Sequence, residues 1–329
     1  MLPHAPGVYR FRDAARRILY IGRATDLRQR VGSYWTNLGD RQRLVRMVER
    51  IAFIEAVECA SEHEAAWLER NVLERSMPRW NRTPGGQEVP VYIRLDQRPG
   101  VPGLSVVHEV ELAPRTRHFG PYLGGLKVRL AVSGLRRALP LALSGARVSG
   151  FERDLARVRG VAPVDRLALV GALSKVLRRD ERAVRSAREE LARHRDRAAE
   201  RLAFELAARV QAELDALDWV VAEQRVTVSE PRDLDVYGWA SGVLVHFEVR
   251  GGRMNHWRQR TCDESVAHSR LAGTPDSWRD FGQRNAALAA RLLATNQPPL
   301  ATNQPPLAPG LSTNASTASD TTNEAYMHG

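Results

Sequence analysis

Two short runs of strand-forming residues lie near the start of the chain, with a polar stretch between them. Residues 8–11 and 18–21 are rich in β-branched and aromatic side chains, which favour strands. The polar residues 13–17 have the length of a hairpin loop. The pattern therefore predicts a β-hairpin, and pairing its strands would bring the phenols of Tyr9 and Tyr20 into one neighbourhood.

Apolar residues then recur at a three- and four-residue spacing. This spacing predicts a helix over 26–35 and a second helix after Asp40. Residues 52–58 predict a third strand, and another helix follows it. We therefore predict an α+β fold in which residues 1–84 form a three-stranded antiparallel sheet with flanking helices.

The last helix of this unit has a recognisable start and end. Ser61 followed by Glu64 predicts a capping box, and Pro78 ends the helix. Glu69 shares one helix face with three apolar residues, Ala65, Val72 and Leu73. A carboxylate in an apolar stripe is costly unless it has a partner, and Mg²⁺ suits the role because it often takes only one or two carboxylates. A surface glutamate at the edge of the stripe is the alternative.

The remainder of the chain divides into four segments by composition and periodicity. Strand patterns over 89–95 and 104–112 and a helix ending near Leu141 mark the first, and charged Ala-Leu helices mark the second. Strand alternation and helix return in the third. The last contains a tandem repeat, ATNQPPL, in a Ser/Thr/Asn-rich end that predicts a disordered tail. The predicted segments are 85–165, 166–222, 223–292 and 293–329.

Charge and cysteine content narrow the function classes. The 329-residue chain has a formal net charge of +11, and lysine occurs only at Lys127 and Lys175. Guanidinium groups match phosphate oxygens in a bidentate way, which favours a polyanionic partner; a coding bias toward arginine is the alternative. Cys59 and Cys262 are too few for a disulfide framework or an iron–sulfur ligand set, and no apolar run reaches membrane-spanning length. We expect a soluble, cytoplasmic protein without a membrane partner.

The two hairpin triplets belong to a longer ordered pattern. Gly7-Val8-Tyr9 and Tyr20-Ile21-Gly22 are followed, at matching spacing, by Arg23, Arg30, Tyr34, Glu69 and Asn81. This run resembles the GIY-YIG nuclease family, in the form found at the N-terminus of UvrC, the C subunit of the excinuclease. The resemblance implies a metal-dependent DNA endonuclease that hydrolyses a phosphodiester bond in nucleotide excision repair.

The resemblance also implies roles for the shared residues. Glu69 would ligate Mg²⁺ or Mn²⁺, and Arg30 would clamp a phosphate oxygen. Tyr9 would orient or deprotonate the attacking water, with a supporting hydrogen bond from Tyr20. Because a free phenol has a pKa near 10, we expect nearby guanidinium groups and the metal to lower the pKa of Tyr9. A solvated helix arginine and two tyrosines packed on a helix are the structural alternatives.

Three further positions complete the candidate site. Tyr34 lies one helical turn after Arg30 and points the same way, or belongs to the core. Arg23 stands where UvrC relatives usually have lysine; arginine supplies positive charge but practically cannot lose its proton. Asn81 either anchors the sheet or contacts a phosphate.

The charged helices carry a second resemblance. Residues 198–208 are similar to the UVR motif, the helical hairpin through which UvrC meets the B subunit, UvrB. The implied partner-binding residues are Leu202, Phe204, Glu205, Ala207 and Ala208. The Arg-Asp pair of the family is Gln211-Ala212 here, and a helix pair with only a packing role is the alternative. Residues 118–122 and 233–252 also resemble parts of UvrC.

Several features of UvrC have no counterpart in this sequence. The cysteine-rich stretch, the second, RNase H-like nuclease and the helix-hairpin-helix elements are not found. We therefore expect no iron–sulfur cluster and a single incision in damaged double-stranded DNA, on the 3′ side by family precedent. Two alternatives are a DNA-binding accessory that docks on UvrB and cuts poorly, and a stand-alone nuclease for branched or mobile-element DNA.

Overall fold

The computed structural model describes residues 1–36, 42–82, 88–98, 103–111, 113–145 and 149–295. Within these ranges the chain forms three three-stranded antiparallel sheets, each with neighbouring helices, and the predicted α+β class is confirmed. The predicted disorder beyond residue 295 and the last residue of the strand predicted over 104–112 fall outside the described residues. No helix in the described ranges is both long and apolar enough to cross a membrane.

The predicted hairpin and third strand build the first sheet. Its strands, in spatial order, are β2 (Ile18–Ala24), β1 (Gly7–Arg12) and β3 (Phe53–Glu58). The central strand β1 is antiparallel to both neighbours. Because side chains alternate along a strand, Tyr9 and Phe11 face one side of this sheet, and Val8 and Arg10 face the other.

Three helices flank the first sheet, α1 (Leu27–Thr36), α2 (Gln42–Val48) and α3 (Glu62–Arg75). Asp26 starts α1 by accepting a hydrogen bond from the N–H of Gln29 at 2.8 Å. Leu27 and Val31 are fully buried in one apolar cluster with Phe11. The apolar stripe that predicted α1 is therefore its packing face.

The predicted capping box at the start of α3 is only half formed. Ser61 Oγ accepts a hydrogen bond from the N–H of Glu64 at 3.0 Å, as an N-cap residue does. The Glu64 carboxylate instead accepts from the N–H groups of Ala60, at 2.6 Å, and Arg225, at 3.0 Å. Glu64 is fully buried, and this second bond ties α3 to a segment 161 residues later in the chain.

The second sheet precedes a helical layer. Its strands, in spatial order, are β5 (Leu104–Val107), β4 (Val91–Asp96) and β6 (Thr116–Tyr122). The strand predicted from residue 104 ends at Val107, where pairing with β4 stops. The helix predicted after Tyr122 is α4 (Gly125–Ala138), which ends close to its predicted limit.

Four more helices follow, α5 (Gly150–Val158), α6 (Arg166–Leu177), α7 (Glu181–Glu200) and α8 (Phe204–Val221). Leu191 of α7 and Leu217 of α8 are fully buried in the same core as the second sheet. Glu213 of α8 is also fully buried; it accepts hydrogen bonds from Ser133, at 2.6 Å, and Arg137, at 2.7 Å, of α4. These bonds satisfy a carboxylate that burial would otherwise penalise.

The third sheet and the last two helices form a third unit. Its elements are β7 (Leu234–Ala240), β8 (Val243–Arg250), β9 (Arg253–Thr261), α9 (Glu264–Leu271) and α10 (Asp276–Thr295). Strand β8 pairs with both β7 and β9. Helix α10 includes residues 293–295, which the sequence assigned to the tail. These residues continue the regular helix, so the helix rather than the repeat decides their structure.

The third unit packs directly on the first sheet. Asn285 of α10 accepts a hydrogen bond from the N–H of Glu58 at 2.7 Å and donates one to its carbonyl oxygen at 3.1 Å. Arg10 of β1 is buried beneath Trp257 of β9, with 4.0 Å between its guanidinium carbon and the indole centroid. Buried residues of both units share one apolar cluster, which includes Val8, Ile21, Val57, Phe247, Trp257 and Phe281.

Two glycines set the distance between β7 and α10. A Cβ atom on Gly238 would lie 1.9 Å from the carbonyl oxygen of Gly282, far inside van der Waals contact. We predict that Gly238→Ala lowers the free energy of unfolding by about 2–3 kcal/mol, because the strand and the helix must move apart. Chemical denaturation measures this loss.

Gly171→Ala in α6 is the matched control. A Cβ atom at Gly171 meets nothing within 4 Å, so we expect a gain of about 0.5 kcal/mol from the less flexible unfolded chain. Equal midpoints for Gly238→Ala and the unchanged protein would contradict the close contact between β7 and α10.

Candidate active site

Three tyrosine side chains meet on one face of the first sheet. The rings of Tyr9 from β1, Tyr20 from β2 and Tyr34 from α1 have centroids 6.0 to 6.2 Å apart. The hydroxyls of Tyr9 and Tyr34 are hydrogen-bonded at 2.9 Å. Tyr9 and Tyr34 are buried, whereas Tyr20 is partly exposed. Tyr34 is therefore both a core residue and a direct partner of the candidate phenols.

The glycines of the two triplets make room for this arrangement. A Cβ atom on Gly22 would lie 2.6 Å from the Tyr9 hydroxyl oxygen, and one on Gly7 would lie 2.3 Å from the carbonyl oxygen of Val57. Both distances are shorter than any real Cβ contact, so a larger residue at Gly22 would displace the Tyr9 phenol. The packing of the sheet therefore explains why both triplets contain a glycine.

Burial reverses the expected shift in the pKa of Tyr9. Its removal from water, followed by its proximity to Tyr34 and Tyr20, raises the pKa well above the ordinary value, although Arg30 acts to lower it. Arg30 thus acts in the expected direction, but burial outweighs it, and the expected net lowering of the pKa of Tyr9 is not found. A fully buried phenol gains more from staying neutral than one guanidinium can offset.

Glu69 projects from α3 toward the edge of β2. One carboxylate oxygen accepts a hydrogen bond from the N–H of Arg23 at 3.2 Å, and the other lies 3.5 Å from the Arg23 guanidinium. Burial raises the pKa of Glu69 above its ordinary value, although Arg23 and Arg30 act to lower it. Glu69 is thus an incompletely neutralised carboxylate, about 20% exposed, whose neighbours are positive.

Arg30 lies between the phenols and solvent. Its guanidinium carbon is 5.3 Å from the centroid of the Tyr34 ring, one helical turn later in α1. Burial lowers the pKa of Arg30, but interaction with the Tyr9 and Tyr34 phenols outweighs this, so the pKa is raised. Arg30 therefore stays charged next to the tyrosine cluster.

A cleft of about 880 Å³ joins most of the predicted site residues. Tyr20, Arg23, Arg30 and Glu69 all line it. Tyr9 is fully buried and does not line the cleft, and its hydroxyl is bonded to that of Tyr34 instead. The structure therefore brings a carboxylate, a phenol and two guanidinium groups to one open cleft.

Asn81 is held by the backbone of β2. Its side-chain oxygen accepts a hydrogen bond from the N–H of Ile21 at 3.0 Å, and its amide donates to the Ile21 carbonyl oxygen at 2.8 Å. Both polar atoms of the side chain are thereby used. Asn81 was expected either to anchor the sheet or to contact a phosphate, and this geometry supports the first role.

The Glu69 carboxylate suits a hard divalent cation that takes few protein ligands. Within the described ranges, no three histidine, cysteine or acidic side chains group closely enough to hold a metal. Glu69 offers one carboxylate to the cleft, next to ample space for water. A single carboxylate with several waters is a coordination that Mg²⁺ accepts and that suits phosphate-bearing substrates.

One part of the cleft wall comes from residues that the sequence did not indicate. Lys127 of α4 and Trp219 of α8 line this wall, and the ammonium of Lys127 lies 5.1 Å from the Trp219 ring centroid. Lys127 also lies 3.6 Å from the carboxylate of Glu62. The sequence shows Trp219 as a tryptophan on a charged helix, but nothing in its spacing indicates that it lies near the first sheet.

Of the predicted partner-binding residues, Leu202 lies in the turn between α7 and α8 and the others lie at the start of α8; none of them lines the cleft. Leu202 is 74% exposed and Phe204 is 65% exposed. Glu205 and Ala208 are exposed too, and Ala207 is partly buried. Gln211, at the position of the family's arginine, accepts a hydrogen bond from Arg195 of α7 at 2.7 Å.

Comparison with known proteins identifies the N-terminal unit. The sequence profile of the UvrC-like GIY-YIG domain matches residues 5–82. These residues therefore form a UvrC-like GIY-YIG domain, and the resemblance found in the sequence is confirmed. The GIY-YIG N-terminal endonuclease domain of UvrC from Thermotoga maritima, solved with its catalytic divalent cation, magnesium, is 30% identical; the alignment covers 25% of this chain and 89% of that one, with a TM-score of 0.23.

The similarity to UvrC extends beyond this domain. The UvrABC system protein C of Corynebacterium aurimucosum is 31% identical over 80% of this chain and 41% of its own length. That of Mycobacterium marinum is 32% identical over 78% of this chain and 42% of its own length. The chain thus spans about two fifths of the length of the curated relatives it matches.

We predict that Asn81→Ala destabilises the domain, because two hydrogen bonds to the backbone of Ile21 are lost. The free energy of unfolding should fall by about 1–3 kcal/mol, as measured by urea denaturation. Asn81→Asp keeps the acceptor but sets a carboxylate oxygen against the Ile21 carbonyl oxygen, so it should destabilise the domain as well. A variant of unchanged stability whose affinity for DNA falls would instead identify Asn81 as a phosphate contact.

Proposed function

We propose that this protein is a metal-dependent DNA endonuclease that hydrolyses a phosphodiester bond in the cleft of the GIY-YIG domain. One observation carries the proposal: Glu69, Arg30 and Tyr20, which three separate elements supply, line the same cleft. The UvrC-like character of residues 5–82 supports DNA as the substrate.

The protein's own residues provide binding and charge. Arg30 is exposed and remains cationic, so it can bind a phosphate oxygen and stabilise the negative charge that develops at phosphorus. Arg23 adds a second guanidinium beside Glu69. Tyr20 can donate a hydrogen bond to the attacking water, while Tyr9 and Tyr34 hold its ring in place. Water access thus favours Tyr20 over Tyr9 as the phenol next to the reacting atoms.

Glu69 is the residue that would hold the divalent cation, Mg²⁺ or Mn²⁺. Bound there, such an ion supplies Lewis acidity for a phosphoryl oxygen and lowers the pKa of a bound water. The Arg23 guanidinium near the same carboxylate limits the affinity for the ion, since the two cations share one anionic group. Millimolar rather than micromolar metal is therefore the expected requirement.

The biological substrate is proposed from similarity. The curated relatives belong to the UvrABC system, which supports damaged double-stranded DNA and nucleotide excision repair. The incision that we propose for the GIY-YIG domain is a single cut on the 3′ side of the lesion.

UvrB is the proposed protein partner. Leu202, Phe204 and Leu206 expose apolar side chains at or beside one helical turn, each at least 44% exposed. Exposed apolar residues that group at one end of a helical hairpin are typical of a docking surface. The charged part of the contact would differ from that of the family, because Gln211 bonds within the hairpin instead.

One observation favours a second candidate, a DNA-binding accessory that cuts poorly. Arg23 pairs with the Glu69 carboxylate through both its backbone N–H and its guanidinium. Because arginine keeps its charge at physiological pH, Arg23 would compete with a metal ion for the Glu69 carboxylate throughout that range. Binding of DNA without cleavage would follow if the competition prevents metal loading.

We predict that Glu69→Gln abolishes nicking of plasmid DNA in Mg²⁺, with a loss of at least about 100-fold, because the amide is a poor ligand. Glu74→Gln is the control. Glu74 belongs to the same helix but pairs with Arg70 and Arg253, outside the cleft, so its variant should cut at the normal rate.

The same assay separates the candidate functions. Binding of DNA with no nicking by either variant or by the unchanged protein would refute the endonuclease proposal and support the accessory. Nicking of branched DNA in the absence of the A and B subunits would support the stand-alone nuclease.

We predict that Phe204→Ser weakens binding to UvrB about tenfold or more, since exposed aromatic residues often dominate an interface. Phe151→Ser is the control, because Phe151 on α5 is 78% exposed but lies outside the turn between α7 and α8. Surface plasmon resonance with immobilised UvrB measures both. Equal affinities for the two variants would place the contact elsewhere.

A further inference from the structure

A second polar cavity adjoins the cleft across a group of stacked rings. Trp219 lines the cleft, and its ring centroid is 4.5 Å from that of His63, which in turn stacks on Tyr122 at 5.4 Å. His63 and Tyr122 both line a separate cavity of about 350 Å³. The segment 118–122, for which the proposed function has no use, forms much of its wall.

His63 presents a buried donor without a partner. The indole N–H of Trp67 donates to His63 Nε2 at 3.0 Å, so this nitrogen is an acceptor. Burial, followed by the charges of Arg179 and Lys127, lowers the pKa of His63 to about 3, and the ring is neutral. Its proton must then be on Nδ1, which is buried and has no hydrogen-bond partner among the described residues.

A second histidine of the cavity is in a similar state. His118 Nε2 is buried and also has no hydrogen-bond partner in the described ranges. Buried polar atoms without partners are rare in native proteins and call for an explanation such as a ligand. Both histidines line the same cavity, and two such atoms on its lining residues point to a polar ligand.

Charge at the rim indicates which ligand. Arg179 and Arg232 line the cavity and are exposed, and neither forms an ion pair with any described residue. Glu230 supplies the single carboxylate that the described residues add to the lining. Guanidinium groups and a buried N–H donor together match the oxygens of a phosphate group.

We propose that this cavity binds a phosphate-type oxyanion through Arg179, Arg232 and the Nδ1–H of His63. The oxyanion is either a phosphate of the DNA strand next to the cleft or free inorganic phosphate. The first source rests on the proposed function; the second does not. In the first case, the strand would pass from the cleft over the edge of Trp219 to the cavity.

DNA binding without cleavage tests the first source. The full chain is titrated with labelled duplex DNA in EDTA at several salt concentrations, and the double variant Arg179→Gln/Arg232→Gln is compared with it. The variant should bind about tenfold more weakly, and the slope of log affinity against log salt should fall by about one to two. Arg178→Gln is the control, since Arg178 is an exposed neighbour that does not line the cavity.

Calorimetric titration with inorganic phosphate at fixed ionic strength tests the second source. Phosphate binding by the unchanged protein and by Arg178→Gln, with loss in the double variant, supports the cavity site. If the salt slope for DNA also falls, the oxyanion is a DNA phosphate; if it does not, the site takes free phosphate. A double variant that matches Arg178→Gln in both measurements overturns the proposal.

Failure of the proposed function would look different. Absence of DNA binding by the unchanged protein and by every variant would refute the endonuclease proposal. The phosphate titration would still show whether the cavity binds an oxyanion. A chain that nicks DNA normally while the double variant matches its control in both titrations would refute the cavity alone.

Discussion

Burial of β1 on both faces is the constraint on which the candidate site depends. Tyr9 packs toward α1, and Arg10 points the other way, where Glu55 pairs with it and the carbonyl oxygen of Trp257 accepts from it at 3.1 Å. Burial lowers the pKa of Arg10 to about 10, and removing one partner of such a pair costs about 3–5 kcal/mol. The strand that carries Tyr9 is therefore held on its other face by a contact 247 residues away in sequence.

Much of the first domain could be predicted from local patterns. Period-two alternation and a polar loop predicted the hairpin, and the stripe of α1 predicted the face that meets Phe11. Glu69 was marked by its place in an apolar stripe, and the structure shows why it is tolerated there: it lies at the cleft edge beside Arg23. These features depend on neighbours within a few residues or on a spacing that the fold preserves.

The features that could not be predicted depend on distant contacts. Glu64 was assigned to a capping box, but its carboxylate bonds to Arg225, which no local rule brings near. Lys127 and Trp219 reach the cleft because α4 and α8 pack together around the buried Glu213. The raised pKa of Tyr9 follows from its complete burial. The burial of one strand residue depends on all the elements that pack against it, which local sequence does not specify.

Charge couples the cleft to the tyrosine cluster. Burial, followed by contact with Tyr34, raises the pKa of Tyr20 above its ordinary value, and the negative charge of Glu69 raises it further. A neutral phenol is a hydrogen-bond donor, so in the proposed reaction Tyr20 would orient the attacking water rather than deprotonate it. Neutralising the Glu69 carboxylate with a cation removes one contribution that keeps Tyr20 protonated. The acidity of the Tyr20 phenol is therefore linked to cation binding by the Glu69 carboxylate. Arg23 lies against the same carboxylate and so influences both.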